Sequence, residues 1–273
     1  MGVRGATPPV EGHFRREEEM TPRDIIDRYQ SIRLGVCLPD LRPGEVAVAT
    51  SDHTTFAERG YGFVRLFWAM HLGERAAVSV HPAALPEVSR LALRVDPEGV
   101  LADEFCSKAC TALQSALGEH DLRPGALDIC MYHPGDASTV ESDGEIRPAT
   151  VAGKDRWAGA RSFWAAADHP SAARSEAFSL WLGEQIVAEI ITHEPSVPEM
   201  ANLIAEDGIE VSEQFRGRGY GKAILSYWTR EMQKCGRVCL HSTSAGNAAS
   251  LALARSVGYI EYAKSRFVVF RRG

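Results

Sequence analysis

Arg216-Gly217-Arg218-Gly219-Tyr220-Gly221 is the stretch of this chain whose residue types and spacing most directly promise chemistry. Before it, Ile209-Glu210-Val211-Ser212-Glu213 reads as a strand; after it, Lys222-Ala223-Ile224-Leu225-Ser226-Tyr227-Trp228 reads as an apolar helical run. Glycines at a strand-to-helix turn let backbone amides approach an anion with no Cβ in the way. The helix start adds unpaired N–H groups and a favourable dipole. The pattern therefore predicts a cradle for a pyrophosphate, with Arg216, Arg218 and Lys222 as local positive charge. Two familiar cradles are excluded. A P-loop needs Gly-Lys-Ser/Thr four residues after a first glycine, but here Gly221-Lys222 is followed by Ala223 and Arg216 stands in the first-glycine position. A dinucleotide fingerprint read from Gly217 and Gly219 puts Lys222 at the third glycine, and it lies near the end of the chain instead of opening a βαβ unit.

On these residues the sequence resembles the GNAT N-acetyltransferase superfamily, whose acetyl-CoA motif is Arg/Gln-x-x-Gly-x-Gly/Ala; Arg216, Gly219 and Gly221 match it. Downstream, Val238-Cys239-Leu240-His241-Ser242 is similar to the family's next strand. Asn247 through Gly258-Tyr259 is similar to the Asn-started helix and Gly-aromatic pair that follow. Upstream, Glu145-Ile146-Arg147-Pro148-Ala149-Thr150 is similar to its first strand. The resemblance spans residues 145–273. It implies acetyl-CoA as co-substrate, with the pyrophosphate on the amides of Arg216, Gly217, Arg218, Gly219, Tyr220 and Gly221 and with charge from Arg218 or Lys222. It also implies the pantetheine arm along the backbone of Val211, Ser212 and Glu213, a bulge there that opens the sheet, and Asn247 near the CoA arm. One departure stands out: the helix position that often carries the thiolate-protonating tyrosine is Ala254, so Ser250, Tyr259, Tyr262 or water would have to substitute.

Acetyl transfer to an amine also needs a base. Glu206 and Glu210 are the candidates, because residues four apart on a strand share one face; Glu210 is slightly preferred as nearer the expected bulge. His193 and His241 are secondary. Three functions follow: acetylation of a small amine, which leads; acetylation of a protein lysine or N-terminus; and a CoA-binding module without catalysis. Trp157, Phe163, Trp164 and Trp181 are available as an aromatic acceptor wall or as core.

The elements that must position these groups divide in two. Residues 1–20 are polar and charged and are expected to be a mobile tail. Thr21-Pro22-Arg23-Asp24 starts a helix; Val46–Ala49, Phe63–His71 and Arg75–Val80 read as strands; helices are expected from His81 to Leu93 and from Asp103 to Leu117. Pro134 to Gly144 concentrates loop formers and marks the boundary between an N-terminal α+β domain at 21–140 and an acetyltransferase-like domain at 145–273. The first half, whose strand–hairpin–helix order is compatible with a degenerate copy of the acetyltransferase fold, lacks the glycine motif and is not expected to bind CoA. In the second half the pattern predicts a helix over Lys154–Ala167, a hairpin Phe178–Trp181/Gln185–Thr192, a strand Leu203–Val211, the motif helix to about Lys234, and a final hairpin of Tyr259–Tyr262 with Arg266–Phe270. The expected fold is a mixed α/β, mostly antiparallel sheet flanked by helices.

The 273 residues are 45% hydrophobic and 24% charged with a net charge of −6. That acidity argues against nucleic-acid or acidic-membrane partners and favours a small-molecule amine. No apolar run approaches a membrane span and the N-terminal residues lack a signal core, so a cytoplasmic protein is expected, with a homodimer as one arrangement. The six cysteines are too sparse for a disulfide framework. Neither Cys106/Cys110 nor Cys235/Cys239 has a nearby His to complete a zinc set, so no metal and buried thiols are expected.

Overall fold

A computed structural model describes residues 20–56, 63–118, 122–161 and 165–270. The expected tail, and Phe163 and Trp164, lie outside these residues. By contact the chain divides into two compact units: 1–130 with 244–246 and 262–273, and 131–243 with 247–261.

The first unit opens with helix α1 (Pro22–Leu34). Thr21 caps it, Asp24 returns a bond to the Thr21 backbone, and Gly35 ends it at φ 68°, the start and stop the sequence specifies. Strands β1 (Val46–Ala49), β2 (Val64–His71) and β3 (Ala76–Val80) follow, then helices α2 (Leu85–Ala92) and α3 (Asp103–Leu117), and β4 (Asp128–Tyr132). The helices bury Val88, Phe105, Ala109 and Leu113 against Phe67, Val78 and Val268. β4 is an addition to the expected elements; its buried Ile129 and Met131 alternate with half-buried neighbours.

The second unit holds β5 (Glu145–Pro148), a single helical turn α4 (Pro170–Ala173), β6 (Phe178–Leu182), β7 (Gln185–His193), β8 (Ile204–Val211), helix α5 (Tyr220–Lys234), β9 (Val238–Ser244) and helix α6 (Ala248–Val257). Its strand order is β9-β8-β7-β6-β5, antiparallel throughout except for the parallel β8–β9 pair. The last strand, β10 (Ile260–Phe270), runs antiparallel to β2 in the order β1-β3-β2-β10-β4. The architecture is mixed α/β and mostly antiparallel, as expected.

Three local expectations are corrected. The described part of 154–167 is not the expected helix: a 3-10 turn at Val151–Arg156 gives way to extended backbone at Trp157, because Trp157 bridges to Ile186 and the Ala158 N–H bonds the Ile186 carbonyl at 2.9 Å. The final hairpin is one continuous strand, since β2 offers a long edge on which Lys264 through Phe270 pair. The bulge expected near Val211 is absent from the β7–β8 ladder, which runs unbroken from Ala188↔Val211 to His193↔Glu206.

Candidate active site

β8 delivers the chain to the glycine turn. The Ser212 N–H is spent on the Val187 carbonyl of β7 at 2.9 Å, and its hydroxyl donates to the Ala158 carbonyl. Successive backbone groups of a strand face opposite neighbours, so Val211 and Ile209 turn theirs away from β7. A 3-10 turn at Glu213–Phe215 follows, and the Arg216 Nε donates to the Val211 carbonyl at 3.2 Å, folding the turn back on the strand end. Gly217 (φ 76°) and Gly219 (φ 88°) are left-handed, and a Cβ on either would meet nothing within 4 Å. The glycines are there for backbone conformation and open approach, not for tight packing. Gly221 is the opposite case: its Cβ would sit 3.3 Å from Val211 Cγ2 and 3.4 Å from Leu253 Cδ2, so its absence lets the start of α5 lie against both β8 and α6. No side chain caps α5. Its first N–H groups therefore face outward beside exposed Arg216 and Arg218 and half-buried Lys222.

The sheet opens at β8 and β9. Their parallel ladder joins Ile204↔Val238, Ala205↔Cys239 and Glu206↔Leu240 and stops there. Beyond it, side chains link the strands. His241 Nδ1 lies 2.9 and 3.1 Å from the two Asp207 carboxylate oxygens, and His241 Nε2 lies 2.8 Å from Ser250 Oγ in the first turn of α6. Asp207 and His241 are buried while Ser250 is half-buried. Burial works against the charged form of His241, but the Asp207 carboxylate, its hydrogen bond and the more distant Glu206 together raise the imidazole pKa above its ordinary value. Asn247 caps α6 by accepting the Ser250 N–H at 3.2 Å. Ala254, one turn on, is fully buried. Of the other phenols considered for the acid, Tyr259 is buried with its hydroxyl 2.8 Å from Thr229 Oγ1, and Tyr262 is buried and donates to Asp27 at 2.6 Å in the first unit.

Glu206 and Glu210 do share a face of β8, the face opposite Asp207. Across the ladder they stand against His193 and Glu189. Glu189 is wholly committed: it takes a 2.5 Å bond from Arg161, the Ala166 N–H at 3.1 Å and the Ser179 hydroxyl at 3.3 Å. Glu210 instead lines a cleft of about 160 Å³ with Ala160, Arg161, Ser212 and Arg216. Arg161 also borders a larger hollow of about 530 Å³ with Lys154, Asp155, Asp168 and His169. The Arg161 guanidinium lies over the Trp157 ring, 4.6 Å from its centroid. Trp181 instead packs on the 3-10 turn, where a Cβ on Gly153 would come within 2.9 Å of its ring. Sequence reasoning did not single out Asp207, Glu189 or Arg161. Glu189 carried a signal, a lone carboxylate inside the apolar run Ile186–Ile191.

Among the described residues no His/Cys/Asp/Glu group could hold a metal, and no helix is long and apolar enough to cross a membrane. Cys106, Cys110 and Cys239 are buried, whereas Cys235 is exposed at the end of α5, against the expectation of buried thiols.

Comparison with known proteins gives one family match: residues 145–259 fit the model described as the Acetyltransferase (GNAT) family. Curated proteins give no match. Among solved structures, a GNAT-family acetyltransferase from Colwellia psychrerythraea is 17% identical with a TM-score of 0.43, over 60% of this chain and 63% of its own. The chain thus spans less than two thirds of that protein. A Drosophila protein is 16% identical with a TM-score of 0.45, over 80% of this chain and 77% of its own. The Salmonella typhimurium protein yncA, solved with its cofactor acetyl-CoA, is 17% identical with a TM-score of 0.30, over 35% of this chain and 63% of its own. With its glycine motif at the uncapped start of α5, the segment 145–259 belongs to the GNAT acetyltransferase family.

Proposed function

We propose that this chain is an acetyl-CoA-dependent N-acetyltransferase whose acceptor is a small amine. The observation that carries the reading is the opening of β8 from β9 beside the glycine-built, uncapped start of α5. An anion fits there because the amides are outward, the glycine Cα atoms are bare and cationic side chains are adjacent. A chain rich in amides fits the opened edge, where Ile209 and the Val211 N–H face away from β7 beyond the end of the β8–β9 ladder. Acetyl-CoA would bring the activated acyl group.

The chain's own residues then have separable tasks. Arg216 to Lys222 bind the pyrophosphate, with Val211 to Glu213 and Asn247 flanking the arm. Glu210 takes the proton of the acceptor amine: it is the carboxylate of the pair that borders a cleft, and Glu189 opposite it is neutralised by Arg161. The two hollows that share Arg161 have the size of a small-molecule site. Each sets two cationic side chains against two carboxylates, which suits an amine bearing a further polar or anionic group.

The test is thiol release from acetyl-CoA with a panel of small amines, amino acids and peptides, alongside calorimetry with CoA. Turnover with small amines alone is the expected result. Turnover with peptides alone would make the chain a protein acetyltransferase, and binding without turnover a CoA-binding module. No CoA binding would refute the reading.

A further inference from the structure

With Ala254 inert, the mechanism lacks a group to receive the departing sulfur. Asp207, His241 and Ser250 form a continuous hydrogen-bonded chain, with links of 2.8 to 3.1 Å, at the point where β8 and β9 part. We propose that Ser250 is the proton donor to the leaving thiolate and that His241, held by Asp207, is its proton source. The inference rests on the acetyl-CoA reading above and adds to it the residues that handle the leaving group.

Placement supports it first. Asp207 and His241 are the first residues of their strands beyond the last laddered pair, so the chain lies at the base of the opening. Ser250 is on the helix whose Leu253 abuts Gly221 of the cradle, and it precedes Ala254 by four residues on the same helical face. The relay and Glu210 lie on opposite faces of β8, so the proton leaving the amine and the proton reaching the sulfur are handled on opposite sides. Burial supports it next. The buried Asp207 and His241 cannot exchange protons directly with solvent, whereas Ser250 is half-exposed and terminates the chain.

Protonation decides between donor and nucleophile. If His241 were neutral with its proton on Nδ1, Nε2 would accept the Ser250 O–H and make the serine a nucleophile. In the imidazolium, the form that Asp207 favours, both ring nitrogens carry protons: Nδ1–H donates to Asp207 and Nε2–H donates to Ser250 Oγ. The Ser250 O–H is then free to point elsewhere. As the carbon–sulfur bond breaks, Ser250 gives its Oγ proton to the sulfur and takes the Nε2 proton of His241. The neutral imidazole keeps Nδ1–H on Asp207. The proton released by the acceptor amine passes to solvent, and one taken up from solvent by way of the half-exposed Ser250 hydroxyl restores the imidazolium, so each turnover closes with no net change in the relay.

Ser250→Ala, Ser250→Thr and His241→Gln test this in the full chain, with folding checked by circular dichroism. The readout independent of turnover is the thiol pKa of bound CoA, followed by thiolate absorbance. Losing the hydroxyl donor should raise it by about one unit, a tenfold loss of thiolate at a given pH, and Ser250→Thr should restore it. In turnover, Ser250→Ala should slow acetyl-CoA by about 10²-fold and slow an acetyl thioester of a more acidic thiol much less, a difference that lost packing would not produce. An unchanged thiol pKa and equal slowing of both thioesters would overturn the proposal. So would an acetyl group found on Ser250 by mass spectrometry, since the serine would then be a nucleophile. If the wild-type protein fails to bind CoA, the acetyltransferase reading fails and the relay with it. If it binds CoA and only the donor signature is missing, the relay alone falls.

Discussion

Gly219→Ala isolates what the glycine turn is for. Gly219 sits at φ 88° with nothing within 4 Å of the Cβ it lacks, so alanine there meets no clash and its cost is conformational. A left-handed L-residue costs about 1–2 kcal/mol. Alanine recovers about 0.4–1 kcal/mol of that by restricting the unfolded chain. The net is about 1 kcal/mol, or a fall in Tm of about 2–4 °C for a chain of this size. Gly236 is a matched control at the other end of the same helix: it lies at φ 76°, just beyond α5, and a Cβ there also meets nothing within 4 Å. Gly236→Ala should cost the same stability. The two variants should part in CoA affinity. A methyl group on the approach side of the cradle displaces the phosphate from one amide, and one hydrogen bond to a charged group is worth about 1.5–3 kcal/mol. That is about 10- to 100-fold in Kd for Gly219→Ala and no change for Gly236→Ala. Calorimetry with CoA, beside thermal unfolding of the unliganded proteins, reads both quantities. Equal destabilisation with wild-type affinity in both variants would refute the cradle, because the strain would then be present without the binding it is supposed to serve.

Glu210→Gln should lower kcat/KM by about 10²–10⁴ while CoA affinity is kept, with Glu206→Gln near wild type; the reverse order in steady-state kinetics would move the base to Glu206. Glu189→Ala should destabilise the protein by about 3 kcal/mol in urea unfolding, because it removes the buried carboxylate that accepts from Arg161 and from the Ala166 N–H. His241 carries a pH signature. Its folded pKa is raised above the unfolded value of about 6.5, so its stabilisation is fully present below that pH and is lost as pH rises through the folded value. The stability gap between wild type and His241→Gln, from urea titrations, should therefore shrink from pH 6 towards alkaline pH; a gap that widens would mean that the imidazole is held neutral.

What the sequence could reveal followed how local each cause was. α1 was legible to the residue because Thr21, Pro22 and Asp24 satisfy their own helix start, and the glycine turn was legible because left-handed backbone demands glycine wherever it occurs. The segment after Lys154 misled because Trp157 and Ala160 mimic a helical stripe. Its backbone is instead claimed by β7, through the bonds to Ile186, and turned by Gly159 at φ 92°. Tertiary pairing overrides such a short pattern readily. β4 was not predicted, although the alternation of Ile129 and Met131 was present in the sequence.

The site divides along the same line. Glu206 and Glu210 were both visible as a pair on one strand, yet the choice between them depends on Glu189 and Arg161, whose positions are set by the β7–β8 register and by chain brought in from beyond Trp157. Asp207 was overlooked for a related reason. It alternates with the two glutamates, so a search for carboxylates on one face passes over it, and only the parting of β9 from β8 brings His241 to its side. A parallel pair that ends after Glu206 and Leu240 gives up the ladder bonds that the facing backbone groups would otherwise make, a cost that folding would ordinarily avoid. Side chains bridging the gap at its base allow the strands to separate there without unzipping further. Asp207 and His241 would then hold the opening as well as the proton. Replacing Asp207 by Asn should on this argument affect the fork's geometry and the leaving group together, whereas Ser250→Ala, which leaves the bridge intact, should affect the leaving group alone.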